Sequence, residues 1–370
     1  MKDAYKPVGD LMDFISFKEK EISKKECLEL FENTENFFDV IKLADSLRKD
    51  IVGDAVTYVV NANINFTNIC TGTCGFCAYK AEHGDPHAFF LNPDEVAKKA
   101  LEARKIGATE VCIQGGLLKE IDTYFQAEIL KKVKEITAPY GKIDVHAFSP
   151  MEVKSAAENA GLNVKEALKI LKESGLNSMP GTAAEILNDE IRSEICPTKL
   201  KTSEWIDVVS NAHKTGIKTT CTMMYGHVEE NDHLAEHLSI LRNIQKETGG
   251  FTEFVPLTFL HENAPLYHTE RVKSGASGML DLKVYAISRI FFKDSIKNIQ
   301  TSWVKLGTKL SQVSLNCGAN DIGGTLMEEN ISKSAGGSYG TYMSEEQLKD
   351  MVLAVGRIPK QRNTAYEIIE

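Results

Sequence analysis

The sequence has no apolar run of transmembrane length, no long basic stretch and no low-complexity segment. A membrane-spanning helix needs about 20 consecutive apolar residues, so a membrane span is not expected. The opening MKDAYKPVGDLMDF lacks the apolar core of a secretory signal. A net charge of −9 argues against non-specific nucleic-acid binding, which rests on clustered Lys and Arg. Eight cysteines are present (Cys27, Cys70, Cys74, Cys77, Cys112, Cys196, Cys221 and Cys317), but they form only one close group. Such scatter excludes the dense disulfide framework of a small secreted domain. These absences leave a soluble chain of a reducing compartment, expected in the cytoplasm, with neither membrane nor nucleic acid as partner. Its composition, 42% hydrophobic and 26% charged, is that of an ordinary globular protein.

Two regions differ in pattern. Residues 1–55 read as an N-terminal helical extension: KKECLELFENTENFFDVIKLADSLRKDIVG spaces its apolar residues at helical intervals and ends in Gly53. Over residues 56–370, short β-branched or apolar runs alternate with amphipathic helices, ending in a C-terminal helical segment. Strands are expected at 63–69, 110–116, 142–149, 176–182, 218–226, 251–259, 298–304 and 316–322. The helices between them carry clear punctuation. In NPDEVAKKALEARKIG, Asn92 stands where an N-cap belongs, Pro93 starts the first turn, and Asp94 and Glu95 face the positive end of the dipole. That helix stops at Gly107, and further helices at Gly175, Gly216 and Gly249. Eight strand–helix repeats in roughly 300 residues fit an α/β fold of the (β/α)8 TIM-barrel type. An open doubly wound sheet gives the same alternation and is the rival. A barrel places its chemistry at the C-terminal ends of the strands, so functional side chains should follow each run.

Directly after the first expected strand comes CTGTCGFC, three cysteines within eight residues. Thiolates on a short loop are good ligands for iron–sulfur clusters and zinc. In a [4Fe–4S] cubane, three cysteines hold three irons and leave the fourth open; four cysteines would make an electron carrier. The odd count favours the open iron. Zinc with a remote fourth ligand, as in a zinc-binding protein, and a fully ligated iron–sulfur carrier are the alternatives.

The C-x3-C-x2-C spacing, with aromatic Phe76 before the last cysteine, resembles the signature of the radical S-adenosylmethionine enzymes. The resemblance implies that Cys70, Cys74 and Cys77 hold the cluster and that the methionine group of S-adenosylmethionine chelates the open iron. An electron from the cluster then releases a 5′-deoxyadenosyl radical. By the same resemblance, Phe76 and Tyr79 border the cofactor, and Gln114, Gly115 and Gly116 form a turn whose backbone meets its methionine end. Glu185 and Arg192 are seven residues apart, which on a helix gives them one face. They look like a clamp on the cofactor, a carboxylate for ribose or ammonium and a guanidinium for carboxylate.

Closer motifs narrow the family. NINFTNICTGTCGFCAYK, DVHAFSPMEV, SMPGTAAEIL, TMMYGHVE and GANDIGGTLMEENIS resemble the tyrosine-using subunits of deazariboflavin synthases in coenzyme F420 biosynthesis, over about residues 55–360. The resemblance implies that the 4-hydroxybenzyl group of L-tyrosine is joined to 5-amino-6-(D-ribitylamino)uracil. It also implies a separate cyclising radical subunit, since one cysteine trio makes one half of that system, and an electron donor such as ferredoxin or flavodoxin. The futalosine-pathway radical enzymes of menaquinone biosynthesis share the trio and are the alternative. For substrate contacts the strand ends offer His146, Tyr225, His227, Trp303, Lys305, Asn320 and Asp321. Lys305 or Arg289 would suit the tyrosine carboxylate, Tyr225 or His227 its phenol, and Asn320 and Asp321 the ribityl hydroxyls. HLAEH (His233, Glu236, His237) matches a zinc-protease pattern but belongs to a helix outside the barrel, where a solvated face is expected.

Overall fold

In the computed structural model, residues 17–269 and 271–369 are described; the helical expectation for residues 1–16 lies outside them. The extension forms two helices, α1 (Lys24–Glu32) and α2 (Phe37–Val52). Ser23 and Glu26 close a reciprocal capping box at the start of α1. The break between the helices falls at Asn33, whose extended backbone ends α1 and whose side chain accepts from the Glu35 amide at 2.8 Å. Gly53, at φ +69°, stops α2. Both helices pack on the outer helices of the barrel, α1 against α9 (Asn231–Thr248) and α2 against α10 (Gly278–Phe292).

The remaining outer helices are α3 (Pro93–Lys105), α4 (Thr123–Thr137), α5 (Pro150–Asn159), α6 (Val164–Glu173), α7 (Asp189–Ile195), α8 (Thr202–Lys214), α11 (Trp303–Ser314), the short α12 (Ile331–Ser334) and α13 (Glu345–Leu353). Asn92 caps α3 through the amides of Asp94 and Glu95, as its sequence predicts.

Six parallel strands pair in sequence order: β2 (Asn61–Thr67), β3 (Glu110–Gly115), β4 (Asp144–Ala147), β5 (Ser178–Met179), β6 (Lys218–Tyr225) and β7 (Phe251–Thr258). A second parallel sheet sets β1 (Ala55–Val59) between β8 (Asp321–Gly324) and β9 (Ile358–Gln361). Single bridges Phe254↔Ile299, Gln300↔Asp321 and Ala62↔Met327 join the two sheets into a closed barrel. β1 and β2 act as one stave broken at Val60, and Ile299–Gln300 as another, so the closed wall has eight staves.

Several boundaries differ from expectation. The run 298–304 contributes only its bridging pair, because Trp303 already opens α11. The last barrel strand is Asp321–Gly324 rather than 316–322, and the run 176–182 shortens to two residues. Helical character was expected up to residue 55, where β1 in fact begins, and β9 was not expected at all: its four residues, IPKQ, carry a proline and little alternation.

Alternation along β2 decides what the barrel encloses. Ala62, Ile64 and Phe66 are buried against the outer layer, while Asn61, Asn63 and Asn65 line the interior. The centre is therefore a cavity of about 470 Å³, with amides on its β2 face, rather than a packed plug.

Candidate active site

The cavity runs from the loop after β2 down to the first residues of the strands. At its mouth stand Cys70, Cys74, Cys77, Phe76 and Tyr79. All eight cysteines are free. The amides of Gly72 and Leu117 each donate to Cys70 Sγ at 3.3 Å. Burial pushes the Cys74 thiol up, opposed by the nearby Lys199 ammonium. Gly116 permits the close approach of β3 to this loop: a Cβ there would lie 2.0 Å from the Ile69 carbonyl oxygen and 2.9 Å from Cys70 Cβ. Among the described residues, no three His, Cys, Asp or Glu side chains converge on a single metal ion. A loop of three soft donors, with amide hydrogen bonds to sulfur and a cation beside it, suits a cluster that offers a separate iron to each thiol.

Glu185 is buried at the cavity wall, in the turn ahead of α7 rather than on a helix. Its φ of +45° and the +71° of Ala183 lie in the left-handed region, strained for residues with a side chain. Arg192 holds this turn from behind. Its guanidinium donates to the carbonyls of Ala183 at 3.0 Å, Leu200 at 2.7 Å, and Ala184. It does not line the cavity, so the expected two-residue clamp is corrected: Arg192 positions, and Glu185 faces inward. The partner of Glu185 is Lys199, 2.7 Å from Oε1, with its ammonium also 4.9 Å above the Phe76 ring. Burial alone would raise the Glu185 carboxyl, but Lys199 overrides it and holds it below the usual range. Oε2 takes no protein donor among the described residues.

At the end of β3, Gln114 donates to Thr182 Oγ1 at 3.0 Å. The amide of Gly115 donates to Glu152 Oε1 at 2.8 Å, and Glu152 Oε2 caps α5 through Ser149. Burial pushes the Glu152 carboxyl up.

The substrate candidates divide. His146 lines the cavity, with Nδ1 2.6 Å from Ser178 Oγ, and burial pushes its ring down toward the neutral form. Lys305 lines it too, in the first turn of α11. It has no hydrogen-bond or ion-pair partner among the described residues, and burial lowers its ammonium. The other five are corrections. Tyr225 is fully buried, donating to Asp281 Oδ1 at 2.8 Å. His227 is fully buried, with Nδ1 accepting from the Val228 amide at 2.8 Å. Trp303 donates from Nε1 to the Gly324 carbonyl at 3.0 Å. Asn320 is committed to Arg289 and the Ile299 amide, which also removes Arg289 from the carboxylate candidates. Asp321 accepts from Thr57 at 2.6 Å and Arg362 at 2.5 Å and lies outside the cavity lining. HLAEH is corrected as well. His237 is fully buried, bridging the Leu187 amide and the Thr222 carbonyl at 3.0 Å each, so its face is not solvated.

Sequence reasoning missed the opposite end. The floor is lined by Glu110, Glu253, Gln300, Arg362 and Thr364. The tail after β9 supplies its closure: Thr364 Oγ1 donates to Glu110 Oε2 at 2.6 Å, and Tyr366 donates to Glu253 Oε2. Arg362 lies 3.5 Å from the same Glu253 oxygen, and its guanidinium sits 4.0 Å from the Tyr366 ring centroid. The Asn61–Asn63–Asn65 alternation was the available signal, since polar amides at every second position of a central strand point into something wet.

Glu253 gives a pH test. Burial pushes its carboxyl from 4.5 to about 7, against the pull of Arg362. A carboxyl raised in the folded state holds a proton there that the unfolded chain releases. Its stabilising contribution is thus complete below pH 4.5 and lost as pH rises through about 7. Chemical denaturation across that window should show stability falling with pH in the wild type and a flatter profile in Glu253→Gln; identical slopes would refute the assignment.

Comparison with known proteins follows the same lines. Residues 64–241 match the radical SAM superfamily, and residues 248–370 match the CofH/MqnC C-terminal region. A protein of Methanococcus maripaludis (strain C5), named 5-amino-6-(D-ribitylamino)uracil--L-tyrosine 4-hydroxyphenyl transferase, is 91% identical over 97% of this chain and all of its own. A protein of the same name from Methanocaldococcus jannaschii is 65% identical, again over 97% and 100%. Among solved structures, methylornithine synthase superposes with a TM-score of 0.72 at 16% identity, covering 94% of this chain and 96% of that one. The hydrogenase maturase HydG superposes at 0.73 and 15% identity, covering 97% and 77%. At such identities these two structures support the fold alone.

Proposed function

From the premise that the chain belongs to the 5-amino-6-(D-ribitylamino)uracil--L-tyrosine 4-hydroxyphenyl transferases of the radical SAM superfamily, we infer its reaction. It joins the 4-hydroxybenzyl group of L-tyrosine to the ribitylaminouracil, releasing 2-iminoacetate, 5′-deoxyadenosine and methionine, in deazaflavin biosynthesis. The observation that carries this is 91% identity across the full length of a relative so named.

When bound, a [4Fe–4S] cluster and S-adenosylmethionine supply the hydrogen-abstracting carbon radical that the reaction requires. Everything else falls to the chain. Cys70, Cys74 and Cys77 are the cluster ligands. The turn Gln114–Gly116 and the free Oε2 of Glu185 face the volume beside them and are suited to the methionine and ribose groups of the cofactor. Lys199 neutralises Glu185 and keeps it in place. Lys305, unpaired among the described residues, is suited to the tyrosine carboxylate. Enclosure by the barrel wall keeps water from the reacting carbons. In this reading a separate cyclising radical subunit consumes the product, and a donor such as ferredoxin or flavodoxin supplies the electron.

The test is anaerobic. Reconstituted protein, dithionite, S-adenosylmethionine, tyrosine and the ribitylaminouracil are combined, omitting one substrate at a time, and analysed by mass spectrometry. A benzyl–uracil adduct that needs both substrates is expected. Deoxyadenosine without that adduct would point to the futalosine substrates instead. Lys305→Met should raise KM for tyrosine about 100-fold, the value of a charged hydrogen bond in a desolvated site. Unchanged KM would remove Lys305 from the carboxylate site.

A further inference from the structure

We propose that the barrel floor is the ribityl subsite, with Asn63, Glu253 and Gln300 taking the polyol hydroxyls and the C-terminal tail holding those groups in place; this rests on the transferase reading above. The tail enters the barrel from the N-terminal ends of the strands, where Asn61 and Glu110 are the first residues of β2 and β3 and Asp321 the first of β8. Such a floor is ordinarily read as a stabilising layer. Part of it is: Glu110 Oε2, Glu253 Oε2 and Asp321 Oδ2 are each occupied by Thr364, Tyr366 or Arg362. The atoms left over point to a ligand. Glu253 Oε1, Gln300 Oε1 and the side-chain amides of Asn63 and Asn65 have no hydrogen-bond partner among the described residues, and all four residues line the cavity. Polar groups facing an enclosed space without partners are costly unless something fills them.

Charge decides which substrate part fits. At the floor the Arg362 guanidinium meets two carboxyl groups, Asp321 and Glu253, and a third, Glu110, accepts from Thr364. A further anion there, such as the tyrosine carboxylate, would meet repulsion at low dielectric. A neutral polyol both donates to and accepts from the free carboxyl and amide groups, whichever way their protons are placed. The unpaired Lys305 stands higher, in the first turn of α11, and takes the anionic partner. The two substrates are thus sorted along the barrel axis, the ribityl chain down and the amino acid up toward the cysteine loop.

The experiment measures binding to reconstituted protein by calorimetry, using ribitylaminouracil and its 6-methylamino analogue, which lacks the polyol. Wild type, Asn63→Ala and Glu253→Gln are compared, with adduct formation followed in parallel. The wild type should prefer the ribityl compound. Each variant should lose about tenfold for it, one hydrogen bond's worth, while affinity for the analogue moves less than about twofold. Equal binding of both compounds by wild type, or equal losses on both in the variants, would overturn the floor assignment even if the adduct forms. Ribityl-dependent binding without any adduct would leave the floor standing and overturn the transferase reading.

Discussion

Replacing Cys70, Cys74 or Cys77 by Ala, one at a time, abolishes adduct and deoxyadenosine formation together, and in the same samples removes bound iron and the broad visible absorbance of the cluster. The expected loss is to background, because with two thiolates a cubane has too few protein ligands to stay on the loop. The informative controls are two other thiols, Cys112 and Cys196. Cys112 lines the cavity, and Cys196 ends α7 behind the cysteine loop, close enough that Lys199 and Cys74 perturb it; burial pushes it to about 12. Serine at either position should retain iron and colour. Loss of the cluster in Cys112→Ser or Cys196→Ser would mean four thiolate ligands, no open iron, and an electron carrier in place of a radical enzyme.

Arg362→Ala should destabilise the fold by about 3–5 kcal/mol, the cost of leaving buried carboxylates without their cation. The guanidinium is fully enclosed, donating to Asp321 Oδ2 at 2.5 Å and lying 3.5 Å from Glu253. For a chain of this size the melting temperature would fall by about 4–6 °C. Arg362→Lys should recover only part of it, since one ammonium cannot reproduce the fork that meets two carboxylates. Asp321→Ala should lower stability through the same ion pair, a different role from the direct ribityl contact first expected of it. A melting temperature within a degree of wild type for Arg362→Ala would show that the tail is not a plug.

The cysteine loop was legible because its chemistry is local. Three thiols at fixed spacing need no tertiary partner to declare themselves, and the barrel followed from repeated strand–helix punctuation. Lys305 and His146 were legible for a related reason: both sit on or beside runs whose period placed them near strand ends. What failed was inference from proximity in sequence to availability in space. Tyr225, His227, Asn320 and Asp321 stand at strand ends, yet each is consumed by a buried partner, and a motif cannot show whether a polar atom is already satisfied. Glu185 and Arg192 were paired for a helix that does not reach Glu185; the chain turns there through left-handed backbone, and Arg192 pins the turn by its carbonyls.

Sequence alone therefore determined the fold class, the cysteine loop and the family, because each depends on local pattern. Only the tertiary structure decided which side chains see the cavity. It brings residues 362–366 from the end of the chain to Glu110 and Glu253, contacts separated by 254 and 113 positions. No periodicity in a four-residue strand and its tail encodes that meeting. It exists because closing the barrel leaves charged groups at its floor that the last segment must satisfy.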